Sequence, residues 1–139
     1  MENNEIILKL RSVKKSDCEF LYDLLNERHP SANISNKKMP SFSQHVTFVL
    51  SKPYSKWYVI EAFQKNVGSI YLTENDEIGI FIKTDFHGKG IATCAMNQLM
   101  KKNPRSRYLA NVNPKNKKSI KFFKNHEFNL IQYTYELKK

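Results

Sequence analysis

Gly88 and Gly90 stand one residue apart in a chain of 139 residues that has only four glycines. They fall between a strand-like run ending at Ile82 and an apolar-periodic run in which Ile91, Ala95 and Leu99 share a helix face beside Ala92, Met96 and Met100. Glycines at such a junction permit left-handed dihedrals and close approach of the backbone. The helix start that follows offers N–H groups without intrahelical partners and the positive end of the helix dipole. Together these features suit the binding of a phosphate. Two known phosphate loops do not fit. A dinucleotide fingerprint needs a third small residue, where Thr93 stands, and an acidic residue about 20 positions later. A GxxxxGK[ST] loop is absent. For the glycines alone, a turn that merely tightens the connection is the plain structural alternative.

A second set of residues points the same way. Asn116, Ser119 and Phe123 fall on one face of a helix, flanked by Lys115, Lys117, Lys118, Lys121 and Lys124. Such a stripe can hydrogen-bond an amide-bearing chain while its lysines meet phosphates. The charge distribution agrees. Residues 1–85 carry 11 Lys/Arg and 11 Asp/Glu, whereas residues 86–139 carry 12 and 2, so the whole net charge of +10 lies in the second part. That field attracts a polyanion: nucleic acid, an anionic surface or a phosphate-rich small molecule. A nucleic-acid-binding domain would use the same lysines, with Phe122, Phe123 and Tyr108 for stacking. It is disfavoured, because Phe123 follows Ile120 on a face better explained by packing. A lysine-rich solvated face is the bland reading.

These residues need elements to hold them. Ile6–Arg11 reads as a strand. Ser16 and Asp17 open an amphipathic helix through Phe20, Leu21, Leu24 and Leu25, ending near His29-Pro30, and a polar loop follows to residue 41. Ser43–Leu50 forms a short helix. Three strands, Trp57–Phe63, Val67–Leu72 and Glu77–Ile82, turn at Gln64-Lys65-Asn66 and at Glu74-Asn75-Asp76. After the helix from Ile91, Tyr108–Val112 is a strand, Asn113-Pro114 starts a last helix and Phe128–Tyr135 is a closing strand. The order β-α-α-β-β-β-α-β-α-β describes an α+β domain spanning residues 1–139, with a mixed, mostly antiparallel sheet flanked by helices. No stretch approaches the ~20 apolar residues of a membrane span, and a cytoplasmic protein is the default. Cys18 and Cys94 read as packed free thiols. The four histidines form no metal-binding spacing, and His29 and His126 read as helix-end or surface residues.

In this setting HGKGIA, residues 87–92, resembles the pyrophosphate loop of the GNAT superfamily of N-acetyltransferases, [Q/R]xxGx[G/A], with His87 where Gln or Arg is usual. NxxS from Asn116, with a following aromatic and a later Phe, resembles that superfamily's second cofactor segment. The element order is also similar. The resemblance implies acetyl-coenzyme A as cosubstrate between two splayed strands, Glu77–Ile82 and Tyr108–Val112. Its pantetheine amides would pair with Phe81, Ile82 and Lys83, and its pyrophosphate would sit on Gly88, Lys89, Gly90, Ile91 and Ala92. Asn116, Ser119 and Phe123 complete the expected cofactor contacts, with no metal. The implied reaction is direct attack of a primary amine on the thioester, with a backbone N–H near Phe81 or Ile82 stabilising the oxyanion. Glu77 is the expected base, with Glu61 and His45 as rivals.

Similar enzymes commonly place Tyr at Phe123, where it protonates the departing thiolate, and Gly at Glu127. Phe cannot donate a proton, so Tyr71, Tyr108 and Ser119 become candidates, and a coenzyme A binder without catalysis is the further alternative. Residues 24–60 loosely resemble the acceptor side of GNAT enzymes acting on nucleotide-linked amino sugars, which places Arg28 and His45 near the acceptor. A homodimer is compatible with this reading.

Overall fold

The computed structural model describes residues 6–28 and 38–139. Four strands form one antiparallel sheet in the order β1-β2-β3-β4: β1 Leu8–Ser12, β2 Lys56–Ala62, β3 Lys65–Leu72 and β4 Ile78–Ile82. The β2–β3 hairpin turns through Phe63 and Gln64, both at positive φ, so Lys65 already belongs to β3. Four helices accompany the sheet: α1 Cys18–Asn26, α2 Phe42–Leu50, α3 Ile91–Lys102 and α4 Lys117–Asn125. A 3-10 turn at Lys15–Asp17 precedes α1, where Arg11 grips Asp17 through two 2.9 Å hydrogen bonds. The first helix ends at Asn26, short of the expected end near His29-Pro30, and most of the polar loop lies outside the described residues.

Strand alternation sends successive side chains to opposite faces. Tyr58 and Ile60 on β2, Ile70 and Leu72 on β3 and Ile78 on β4 face α3, where Ile91, Ala95, Met96 and Leu99 complete the main core. The opposite face is smaller and more polar. There Trp57 packs against Cys18, Leu21 and Val49 of α1 and α2. Register lines up Trp57, Tyr71 and Gly79 in one row across this face, and Val59, Ser69 and Phe81 in the next. The glycine matters because a Cβ at residue 79 would lie 2.0 Å from Tyr71 Cζ. With no side chain there, the Tyr71 ring lies flat over β4. Tyr54 stacks on it with ring centroids 3.8 Å apart. Both cysteines are free, as expected.

Three expectations are corrected. Tyr108–Val112 does not join the sheet as a strand: it touches β4 at one parallel bridge, where Ile78 N–H donates to the Leu109 carbonyl (2.8 Å) and Leu109 N–H to the Asp76 carbonyl (2.9 Å). Beyond that bridge the chain leaves β4, so the edge from Gly79 to Ile82 stays open. Phe128–Tyr135 is not a strand either. Leu130, Ile131, Tyr133 and Tyr135 are exposed, and strand-forming side chains without a neighbouring edge make no ladder. The last helix starts later than Asn113-Pro114, because the Asn113 side chain accepts from Lys115 N–H in a local turn and Asn116 is the residue that caps α4. Glu127, where similar enzymes carry glycine, has φ of 68°, a left-handed conformation that favours glycine.

Candidate functional site

A cleft of about 1190 Å³ opens along the free edge of β4, between it and the segment running from Asn111 into α4. Glycine dihedrals shape its phosphate end. Gly88 and Gly90 have φ of 75° and 76°, and Gly90 is the N-cap of α3. The first main-chain bond of that helix runs from Cys94 N–H to the Gly90 carbonyl at 3.2 Å. Among the described residues the N–H groups of Gly88 to Thr93 therefore have no main-chain partner. A Cβ at Gly88 would meet nothing within 4 Å, so the space in front of these donors is open. His87 supports the loop from beneath: its Nε2–H donates to the Ile82 carbonyl at 2.8 Å.

Each expected cofactor residue can now be placed. Phe81 and Ile82 of β4 line the cleft, as do His87, Gly88 and Gly90 of the loop, with Ile91 and Ala92 behind them. From the far wall come Asn116, Ser119 and Phe123. Lys83 and Lys89 are not among the lining residues, whereas Lys115, Lys117 and Lys118 are. The main-chain edge also differs in detail from expectation. Lys83 N–H donates to Val67 and Glu77 accepts from Thr73, so the odd residues of β4 turn their polar groups to β3. Antiparallel alternation then turns Ile78, Ile80 and Ile82 outward. Ile78 N–H is taken by Leu109 and the Ile82 carbonyl by His87, which leaves, among the described residues, the Ile78 carbonyl, both groups of Ile80 and the N–H of Ile82 for an added strand. Phe81 and Lys83 contribute no such pairing. Ile80 was missed because phase depends on a long-range pairing.

Asn116 is engaged as a cap, accepting from Ser119 N–H at 3.2 Å. Phe123, half-buried on the cleft wall, packs edge-to-face on Phe122 and Phe128 with centroids 5.1 and 5.0 Å away, which fixes its ring against its neighbours. His126 closes α4: Nδ1–H donates to the Phe122 carbonyl, which leaves Nε2 to accept from Thr93 Oγ1.

The donors and acceptors of protons sort equally clearly. Glu77 lines the cleft at the head of β4, where its carboxylate accepts from Thr73 Oγ1 at 3.0 Å and from Asn111 Nδ2. Glu61 is paired with Arg11 and lines neither cavity, which removes it as a rival. The Tyr108 hydroxyl donates to the Asn103 carbonyl at 2.6 Å and serves as a lock at the end of α3. Tyr71 has a different position. It lines the cleft and also a second cavity of about 590 Å³ on the α1–α2 side of the sheet. Burial pushes its phenol pKa up, so the hydroxyl keeps its proton.

Arg28 and His45 border that second cavity. Arg28 lies with Cζ 4.2 Å above the Phe81 ring, and desolvation lowers its pKa. Its neighbour Glu27 accepts from Thr84 N–H at 2.9 Å, tying the end of α1 to the loop after β4. His45 is 5% exposed and its Nε2 has no hydrogen-bond partner among the described residues. Burial lowers the imidazole pKa, so the folded protein holds it neutral. An unfolded histidine takes up its proton near pH ~6.5, so this contribution to stability is full above that pH and declines below it. His45→Gln is expected to flatten the fall of the urea midpoint between about pH 7 and 5. An unchanged slope would assign the decline to other groups.

The profile of the acetyltransferase (GNAT) domain matches residues 8–129, from β1 through the end of the cleft-bearing segment. The chain belongs to the GNAT acetyltransferase family. Solved GNAT-fold structures agree at low identity. A domain from Methanocaldococcus jannaschii is 20% identical with a TM-score of 0.77, over 95% of this chain and 94% of that one. RimL, a ribosomal L7/L12 alpha-N-protein acetyltransferase in complex with coenzyme A, is 19% identical at 0.71, over 92% and 86%. A spermidine N-acetyltransferase, SpeG from Vibrio cholerae, is 21% identical at 0.65, over 85% and 77%. No curated protein matches the sequence. As a GNAT protein the chain is an acyl-CoA-dependent N-acetyltransferase with acetyl-CoA as cosubstrate. Among the described residues there is no cluster able to hold a metal ion, and no helix is long and apolar enough to cross a membrane.

Proposed function

We propose that this GNAT enzyme acetylates a primary amine of a small molecule held in the second cavity, with coenzyme A in the cleft along β4. The observation that carries this is the row of unpartnered N–H groups at the head of α3, opening onto a cleft bordered by lysines. Acetyl-CoA would supply an acetyl group on a good thiolate leaving group. Gly88 to Ala92 would hold its pyrophosphate, and Lys115, Lys117 and Lys118 its remaining phosphate charge. The main-chain groups of Ile80 would align its pantetheine arm in the manner of an added strand. The Ile82 N–H, also facing outward, suits the developing oxyanion.

Leu24, Arg28, Tyr71 and Phe81 border both cavities, and amine and thioester must meet where the cavities join. Of these four, Tyr71 alone can give up a proton under ordinary conditions, since a guanidinium does not. It is therefore our candidate to protonate the leaving thiolate, in place of the hydroxyl that Phe123 lacks. Glu77, oriented by Thr73 and Asn111, takes the proton of the incoming ammonium directly or through water. Arg28 and His45 face the acceptor, and a nucleotide-linked amino sugar is the acceptor class we favour. A homodimer is compatible with this arrangement.

Calorimetry with acetyl-CoA, followed by thiol release with a panel of primary amines that includes nucleotide-linked amino sugars, tests the proposal. Heat on mixing and thiol release with at least one amine are the expected results. Absence of heat would remove the cleft as a coenzyme A site. Binding without release by any amine would reduce the protein to a coenzyme A binder.

A further inference from the structure

The second cavity has an unusual balance of charge. Among the described residues its lining includes Arg28 and Lys38 but no Asp or Glu. The deficit extends through the surrounding sequence: from Arg28 to Ile60 the chain has no carboxylate at all. Residues 29–37, which adjoin the cavity in sequence, therefore cannot supply one. From the sheet, Trp57, Ser69, Tyr71 and Phe81 form a neutral floor. The carboxylates of Glu27 and Glu77 belong to the neighbouring cleft, and both are already hydrogen-bonded.

On the reading that this cavity holds the acceptor, we infer that the acceptor is an amine carrying an anionic group, carboxylate or phosphate, which Arg28 and Lys38 receive, and that polyamines are rejected. A guanidinium presents a planar fork of donors that matches either anion. Arg28 lies over the Phe81 ring, partly withdrawn from water, where an ionic contact is worth more than at the surface. His45 Nε2 is a buried polar atom without a partner among the described residues, on the same cavity wall. A ligand atom that hydrogen-bonds it removes a standing desolvation cost. The aromatic side chains of Trp57, Tyr54 and Phe48 leave room for a flat or apolar body between the two charged ends.

A polyamine meets the opposite situation. Glu77 can serve the one amine that reacts, but a second ammonium reaching into the cavity would meet the like charge of Arg28 and Lys38, with neutral aromatic faces and, among the described residues, no carboxylate to offset it. Carboxylate and phosphate are both compatible with the fork, and a nucleotide-linked amino sugar is one member of the phosphate class.

Four amines with a common alkyl chemistry test this: 5-aminopentanoate, 5-aminopentyl phosphate, cadaverine and spermidine. With saturating acetyl-CoA, at least one anionic member is expected to show kcat/KM tenfold or more above cadaverine, with spermidine lowest. The ratio of the two anionic members identifies the preferred anion. Arg28→Gln is expected to erase the preference, and Lys38→Gln, at an exposed position, to reduce it without loss of the fold. Equal or better use of cadaverine or spermidine by the unmodified protein, or a preference unchanged in Arg28→Gln and Lys38→Gln alike, would overturn the inference. Calorimetry on coenzyme A-loaded protein separates this from the enzymatic reading. If no amine releases thiol, binding of either anionic member in preference to the diamine still supports the charge preference. Binding of spermidine instead, or of none of the four, overturns it.

Discussion

Gly88→Asp is expected to weaken acetyl-CoA binding by about 100-fold or more while leaving the fold within about 1 kcal/mol of its stability. The position allows the two effects to be separated. A Cβ at residue 88 meets nothing within 4 Å, so no core contact is lost and no neighbour has to move. The φ of 75° strains an L-residue, but Asp and Asn tolerate the left-handed region better than most side chains. What changes is the field at the mouth of the cradle. A carboxylate there would turn back onto the free N–H groups of the α3 start and fill the place a diphosphate needs. Two like charges about 4 Å apart repel by roughly 4 kcal/mol at an effective dielectric constant of about 20, ample for a 100-fold loss. Gly88→Asn carries the same backbone strain without the charge and should stay within about tenfold of the unmodified protein. Calorimetry with acetyl-CoA and thermal melting of both variants give the comparison. Equal affinity for Asp, Asn and Gly at this position would mean that the diphosphate lies elsewhere.

The same contrast between local and long-range determinants explains which features could be read from the sequence. The glycine loop was legible because its signal is local: two residues that favour positive φ, followed at once by a helical apolar period. The three strands from Trp57 to Ile82 were legible because their alternation matches a sheet with one face on α3. The tail after Phe128 has comparable strand character, yet it is exposed. Strand propensity describes fitness for a pleated surface, and only a partner edge converts it into a strand. The start of α4 was misplaced by three residues because Asn113 and Asn116 carry the same capping chemistry, and only the chain path decides which forms the turn and which the cap. Ile80 was missed for a further reason. Which residues of β4 face the cleft is fixed by the bonds of Thr73 and Val67 to the strand ends, contacts invisible in a linear pattern.

The second cavity was the least legible part. Arg28 and His45 were located through a loose family resemblance, whereas the aromatic wall of Tyr54, Trp57 and Tyr71 carries no motif. It is assembled by register, with Trp57 opposite Tyr71 and Tyr71 opposite Gly79. Gly79 is one of only four glycines in the chain, and it lies inside a strand, where glycine often marks close approach by another group. That was the available signal. The group that approaches is the ring of Tyr71, which this same glycine lets lie across β4, at the junction of the two cavities.

Glu77→Gln should lower single-turnover acetyl transfer by about 100-fold or more, with acetyl-CoA affinity changed little. An amine of lysine-like basicity, pKa ~10.4, arrives mostly as ammonium near neutral pH and must lose a proton before it can attack. Among the carboxylates, Glu77 lines the cleft and is oriented by two neighbours, while Glu61 is committed to Arg11. The amide of Gln keeps nearly the same volume and can still accept from Thr73, but it cannot take a proton from the acceptor. Some stability is also at stake, because Asn111 donates to the carboxylate and an amide of one orientation cannot accept from both partners. That lost bond costs about 1 kcal/mol, visible in a thermal melt and too small to account for a 100-fold kinetic effect. The decisive comparison is the rate in single turnover across pH, because a proton acceptor shapes that dependence and a merely structural carboxylate does not. If Glu77→Gln retains the rate and the same pH profile, Glu77 has no part in the proton transfer, and His45 becomes the next group to replace.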